Sequence, residues 1–303
     1  MLHFRDDSLD AFSRFLLRLK TSLPPKLPAK VCFSHMMPAV TTTGLTRRFG
    51  EITAVQDVNL TVAPGQFFGF LGPNGAGKST TIKMLTGLLA PTSGSIQILG
   101  LDALANPIEV KRQIGVVPEG LALFGRLTAA EYLRFVGRMY GLDAATTAAR
   151  TTELLEFMAL ANETKKLVSD FSHGMQKKLA LAAAVIHGPK VLFLDEPFEG
   201  VDAIASGTLK AMLQGMIARG ATIFLTSHVL EIVERLCTHI AIIDRGHLIA
   251  NGSLEELRAG VQARNPDSDG ASSQTLTLEQ IFLSIVGNEA GAQQPEQELS
   301  WLG

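Results

Sequence analysis

Gly72-Pro73-Asn74-Gly75-Ala76-Gly77-Lys78-Ser79 has the spacing GxxxxGK[ST], between the apolar run Phe67-Phe68-Gly69-Phe70-Leu71 and Thr80-Thr81-Ile82-Lys83-Met84-Leu85. Strand, glycine-rich loop and helix in that order is the setting in which this pattern holds phosphate. Glycines let backbone N–H groups turn inward around phosphate oxygens, and the following helix adds its positive N-terminal end. Lys78 is expected to reach the β- and γ-phosphates as a point charge, with the Ser79 hydroxyl on Mg²⁺.

Asp195 and Glu196 end a second apolar run, Val191 to Leu194, which puts both carboxylates at the carboxyl edge of a sheet beside that loop. Asp195 is expected to hold Mg²⁺ through water. Glu196 is expected to take a proton from an attacking water as general base. His228 follows a third apolar run, Thr222 to Leu225, through Thr226-Ser227. A neutral imidazole there can donate one hydrogen bond to a γ-phosphate while its other nitrogen faces a partner chain. Phe171-Ser172-His173-Gly174-Met175-Gln176 precedes the acidic run by some twenty residues. Ser172 and Gly174 offer a hydroxyl and a backbone N–H, at what by itself reads as a helix cap. Phe49, in Thr46-Arg47-Arg48-Phe49-Gly50, is either a stacking platform for adenine or ordinary core packing. Glu119 is an oxygen ligand at the point where the texture of the sequence changes, placed to sense Mg²⁺ and the γ-phosphate.

The elements that must position these groups read as an α/β core from about Val40 to Asn251. Thr222 to Thr226 and Ile240 to Ile243 are further buried strands, and helical stretches alternate with strands as in a parallel sheet covered by helices. Between Glu119 and Ser172 the chain turns Ala/Leu-rich, and Thr128-Ala129-Ala130-Glu131 has the capping-box form ahead of Tyr132, Leu133, Phe135 and Val136. This segment is expected to be a helical insertion. Asn265 to Gly270 reads as a flexible link and Thr277 to Leu283 as part of a short amphipathic helix near 277–286, with a tail beyond Gly287.

Residues 1 to 38 form an extension with Leu9, Phe12, Leu16 and Leu19 at helical spacing, followed by a proline-punctuated stretch. A membrane-surface or targeting helix is one reading. The stronger one is a poorly ordered extension ahead of a true start at Met36 or Met37. No run approaches the ~20 apolar residues that span a bilayer. The formal charge of −2 has no dense Lys/Arg stripe, which argues against a nucleic-acid partner. Cys32 and Cys237 are far apart and fit no metal spacing, so they are expected to be ordinary thiols.

The order of these motifs from Phe49 to His228 resembles the ABC-type ATPases, and the resemblance covers about Val40 to Asn251. It is similar to the ATP-binding subunit of an exporter whose membrane permease is a separate chain. The resemblance implies a P-loop NTPase core over residues 39 to 254, with a parallel sheet, an N-terminal antiparallel β subdomain and the insertion at 119 to 172. It implies ATP and Mg²⁺ as ligands. One chain would hold ATP with Gly72 to Thr80, Asp195, Glu196 and His228, and a second copy or a related ATPase would close head-to-tail over it with Ser172 and Gly174. Glu199-Gly200-Val201-Asp202 would run along that interface, and the chain would sit peripherally on the cytoplasmic face of the membrane. Three positions depart from the family pattern. Glu119 replaces the usual Gln, Phe171-Ser172-His173-Gly174-Met175 replaces Leu-Ser-Gly-Gly-Gln, and Phe198-Glu199 replaces the common Thr-Ser. A soluble ATPase of non-transport function, such as iron–sulfur assembly, is the alternative.

Overall fold

The computed structural model describes residues 37–264 and 276–290. The helix expected around Leu9 to Leu19, Cys32, Met36, the Asn265 to Gly270 link and the last residues of the tail lie outside the described residues.

The chain opens with a hairpin of β1 (Val40–Phe49) and β2 (Ile52–Val62), and β3 (Phe67–Leu71) leads into α1 (Lys78–Leu85). Next come β4 (Ser93–Ile98), β5 (Leu101–Asp102), α2 (Pro107–Gln113) and β6 (Ile114–Val117). The region expected to be a helical insertion contains α3 (Ala129–Met139) and α4 (Ala144–Phe157). Beyond it lie α5 (His173–Val185), β7 (Val191–Asp195), α6 (Ala203–Ile217), β8 (Thr222–Thr226) and α7 (Leu230–Leu236). The chain continues through β9 (His239–Asp244), β10 (His247–Ser253), α8 (Leu254–Arg264) and α9 (Leu278–Ala290).

Two sheets result. One is antiparallel with strand order β2-β1-β4-β5, and the other runs β10-β9-β3-β8-β7-β6, parallel except for the β9–β10 pair. Their sequences differ for a physical reason. In β2, Val58, Leu60 and Val62 are buried while Gln56, Asn59 and Thr61 are not, or only partly so, the alternation of a sheet covered on one face. Strands β3, β7 and β8 are buried at every residue, because both faces are covered. The period of two persists in the packing: Phe67, Leu71, Leu192, Leu194, Ile223 and Leu225 join one core with α5 and α6. Phe68, Phe70, Phe193 and Phe224 join a second core with α1 and the antiparallel sheet. Phe224 lies at the centre of the second core, with its ring 5.4 Å from both Phe68 and Phe70 and 5.6 Å from Phe193. Burying each such ring contributes about 1.5–3 kcal/mol.

The capping box at α3 forms as its sequence indicates: Glu131 N–H donates to Thr128 Oγ1, and Thr128 N–H donates to Glu131 Oε2. Helices α3 and α4 approach closely at Gly137, where an added Cβ would come within 2.8 Å of Thr147 Cγ2. Among the described residues no helix is long and apolar enough to cross a membrane.

Candidate active site

The parallel strands β3, β8 and β7 are neighbours and end at one edge of the sheet, where open α/β folds bind ligands. From β3 the chain turns through the glycine loop into α1. Gly77 caps α1 at φ 108°, where a Cβ would meet Ala54 O at 2.5 Å, and a Cβ on Gly72 would meet Ile243 O at 2.2 Å. Only glycine fits this tight fold-back. Lys78, 7% exposed, curls over the loop and donates to Gly72 O at 2.7 Å and Pro73 O at 3.1 Å. Its ammonium is thereby held over the space that the loop encloses.

A cavity of about 420 Å³ opens there, lined by Asn74, Gly75, Gly77, Lys78, Ser79 and Thr80, by Ala54, and by Glu119, Glu196, Glu199 and His228. Asp195, buried at the end of β7, accepts a hydrogen bond from Thr226 Oγ1 at 2.5 Å across the β7–β8 pair. Glu196 follows in a left-handed backbone conformation, φ 48°, with its N–H donating to Thr226 O and Oγ1, both at 3.2 Å. Its Oε2 accepts from His228 N–H at 3.2 Å and lies 2.9 Å from His228 Nδ1. An ionised carboxylate only accepts, so Nδ1 carries the proton. A neutral ring then presents an acceptor at Nε2. In this arrangement the ring's N–H is directed at Glu196, whereas the sequence expectation has it donate to a γ-phosphate.

Ser79 Oγ donates to Glu119 Oε2 at 3.5 Å, so the hydroxyl and carboxylate expected at the metal share one rim. Ala76 contributes only backbone, since its side chain is buried in the core beneath the loop. Gly72 and Pro73 border a smaller cavity of about 210 Å³ with Ser227, His228 and Phe282 of α9. Phe49 does not line the 420 Å³ cavity; it is 45% exposed at the end of β1, with the Arg47 guanidinium 4.5 Å above its ring.

Ser172, Gly174 and Asp202 also lie off the cavity lining. Ser172 caps α5, accepting from Met175 N–H at 3.3 Å, and Asp202 caps α6, accepting from Ala205 N–H at 2.8 Å. The helix begins at His173, so Gly174 sits in its first turn. A Cβ on Gly174 would stand 3.4 Å from Asp202 Oδ2, so these two meet at one corner, where Ser172 and Asp202 are exposed and Gly174 is buried.

Comparison with known proteins decides the family. The ABC transporter family pattern matches residues 55–199. The chain is 35% identical over 242 residues to the probable multidrug ABC transporter ATP-binding protein YbhF of Escherichia coli, covering 80% of this chain and 40% of that protein. It is 41% identical over 209 residues to the Nod factor export ATP-binding protein I of Cupriavidus metallidurans, 69% of each chain. The chain belongs to the ABC transporter family. Among solved structures it resembles an ATP-binding subunit of an ABC transporter, with TM-score 0.74 and 31% identity over 82% of this chain and 99% of that one. It also shares the fold of an ATP-binding cassette solved as a dimer with ADP and Pi, with TM-score 0.66 and 24% identity over 71% and 98%. The match spans about 40% of the length of YbhF.

As an ABC cassette, the chain offers a donor set that suits Mg²⁺. Among the described residues no three His, Cys, Asp or Glu side chains come together as a metal cage. One hydroxyl and two carboxylates, Ser79, Asp195 and Glu119, are what a cation bound partly by substrate phosphates requires. Sequence reasoning missed three features of this cassette. Glu199 lines the cavity, Thr226 bridges the two acidic residues, and Lys177 lies inside the molecule and donates to Glu196 O at 2.9 Å. Burial pushes the Lys177 ammonium below its usual range, while Glu199, Glu196, Asp195 and Glu119 push it back up. The adjacent Lys177-Lys178 pair, directly ahead of the apolar run Leu179 to Val185, was the available signal.

Proposed function

We propose that this ABC cassette binds and hydrolyses ATP and drives a separate membrane permease that exports its cargo. One observation carries the hydrolytic reading: the Glu196 carboxylate, held by His228, faces the same cavity as Lys78. A water lodged against Glu196 would lose its proton to that carboxylate as it attacked the γ-phosphate. Lys78 and the loop N–H groups would hold the developing phosphate charge. Mg²⁺ held by Ser79 and Asp195, with Glu119 at the rim, would supply further neutralisation of that charge. Phe49, exposed and already carrying a guanidinium on its ring, would offer the adenine a stacking face.

Ser172, Gly174 and Asp202 form a capped corner away from the cavity, a phosphate-binding arrangement without a phosphate site of its own. A second copy, turned head-to-tail, would bring this corner to the open side of the cavity, as in a dimer. Both named relatives support export, one being a multidrug protein and the other an export protein. The permease would seat a short helix in the groove of about 220 Å³ lined by Pro118, Leu121, Leu123, Tyr132 and Val136. The groove is flanked by Phe124, 55% exposed, and Phe135, 43% exposed, with rings 5.4 Å apart. Attachment through that groove would hold the cassette at the cytoplasmic face.

Crosslinking tests the dimer. Ser172→Cys combined with Asn74→Cys in a Glu196→Gln background should form covalent dimers with a short bis-maleimide in saturating ATP and not without it. Monomers alone under both conditions would remove the partner site. Co-purification with a multi-spanning membrane protein tests the permease.

A further inference from the structure

Lys177 sits on α5 with 2% of its surface exposed. Lysines at helix surfaces keep their ammonium in water and bury only the stem. This one runs inward and ends on a backbone carbonyl, donating to Glu196 O at 2.9 Å. Glu196 needs such support. Its φ of 48° is a conformation that a non-glycine residue holds only when its surroundings enforce it. Thr226 grips the N–H from β8, through both its carbonyl and its hydroxyl. Lys177 grips the carbonyl on the other side of the same Cα. With both peptide groups fixed, the direction of the Glu196 side chain is set before any ligand arrives. We infer that Lys177 is a positioning residue for hydrolysis, aiming the Glu196 carboxylate by holding that residue's carbonyl.

The inference rests on Glu196 being the general base, and the experiment separates the two. Lys177→Met keeps length and burial and removes the donor. Its kcat for ATP should fall about ten- to a hundredfold, the effect of misplacing a reacting group by an ångström or so. Its affinity for a fluorescent ATP analogue and its unfolding midpoint should stay close to wild type. Lys177→Arg, which restores a donor, should recover part of the rate. The decisive variant is the double Glu196→Gln, Lys177→Met. If Lys177 acts through Glu196, the double variant is no slower than Glu196→Gln alone. Wild-type kcat in Lys177→Met overturns the inference, as do multiplying losses in the double variant or rate, affinity and unfolding midpoint falling together. A poorly folded Lys177→Met is replaced by Lys177→Gln, whose shorter donor cannot reach Glu196 O and should give the same result. If Glu196→Gln itself hydrolyses at the wild-type rate, it is the general-base reading that fails.

Discussion

The sheet edge and the corner at the head of α5 both carry the chemistry of phosphate binding, yet they are built differently. At the edge, loops from three neighbouring strands converge on one cavity, and its polar groups bond to each other: Lys78 to Gly72 O, Thr226 to Asp195, His228 to Glu196. At the corner, Ser172 and Asp202 do no more than cap their own helices. The edge is organised before any ligand binds. The corner has donors and a helix end but does not line the 420 Å³ cavity, so its proposed use depends on what is brought to it.

Glu196→Gln tests that contrast with the largest expected effect. It should cut hydrolysis by about 10²–10⁴, the usual worth of a general base, while ATP binding persists. A slower-stalling enzyme should then accumulate as a dimer on gel filtration with ATP, and an unchanged rate would take the base role from Glu196. Lys78→Ala should lose a charge-assisted contact of about 1.5–3 kcal/mol, ten- to a hundredfold in nucleotide affinity. Titration with a fluorescent ATP analogue measures it; unchanged affinity would contradict the phosphate-loop assignment.

The junction between the insertion and the core gives a pH-dependent prediction. His187 stacks on Tyr140 at the end of α3, with ring centroids 3.7 Å apart, and donates through Nε2 to Ile114 O at 2.9 Å. Its Nδ1 is buried without a partner among the described residues, and burial holds its pKa down to about 4. The folded protein therefore resists a proton that the unfolded chain accepts near pH 6.5, so stability falls as pH drops from about 6.5 towards 4. By pH 5 the loss from this group should be about 2 kcal/mol. Denaturant unfolding of wild type and His187→Phe at pH 7.5 and pH 5 isolates it: the wild type should lose more stability than the variant.

Ser172→Ala is expected to have the smallest effect on the isolated chain. Loss of the cap should cost about 1 kcal/mol of stability and leave ATP affinity of the monomer unchanged, while the ATP-induced dimer weakens. A fall in monomer affinity would put Ser172 in the edge site and erase the contrast between the two regions.

Much of the edge was legible because each functional group follows a short apolar strand. Thr222–Thr226 matches the expected strand to the residue, and Val191–Asp195 exceeds it by one residue. Helix α9 was legible as a short amphipathic helix near 277–286 but runs on to Ala290. The stack of His187 on Tyr140 had no local sign in the sequence, because the partners are 47 positions apart and meet only when the insertion folds back. Phe49 stayed ambiguous because exposure at a strand end depends on what packs over it.

Sequence alone determined the local units: a glycine loop between strand and helix, acidic residues at a strand end, a capping box, and strands apolar enough for a doubly covered sheet. These follow from neighbours within a few positions, where steric limits and hydrogen-bond caps act. Tertiary structure decided which units meet. The order β3-β8-β7 places residues more than a hundred positions apart at one edge. Only that packing could turn Lys177 inward, hold Glu196 at a positive φ and set His228 on its carboxylate, because each depends on contacts between distant segments.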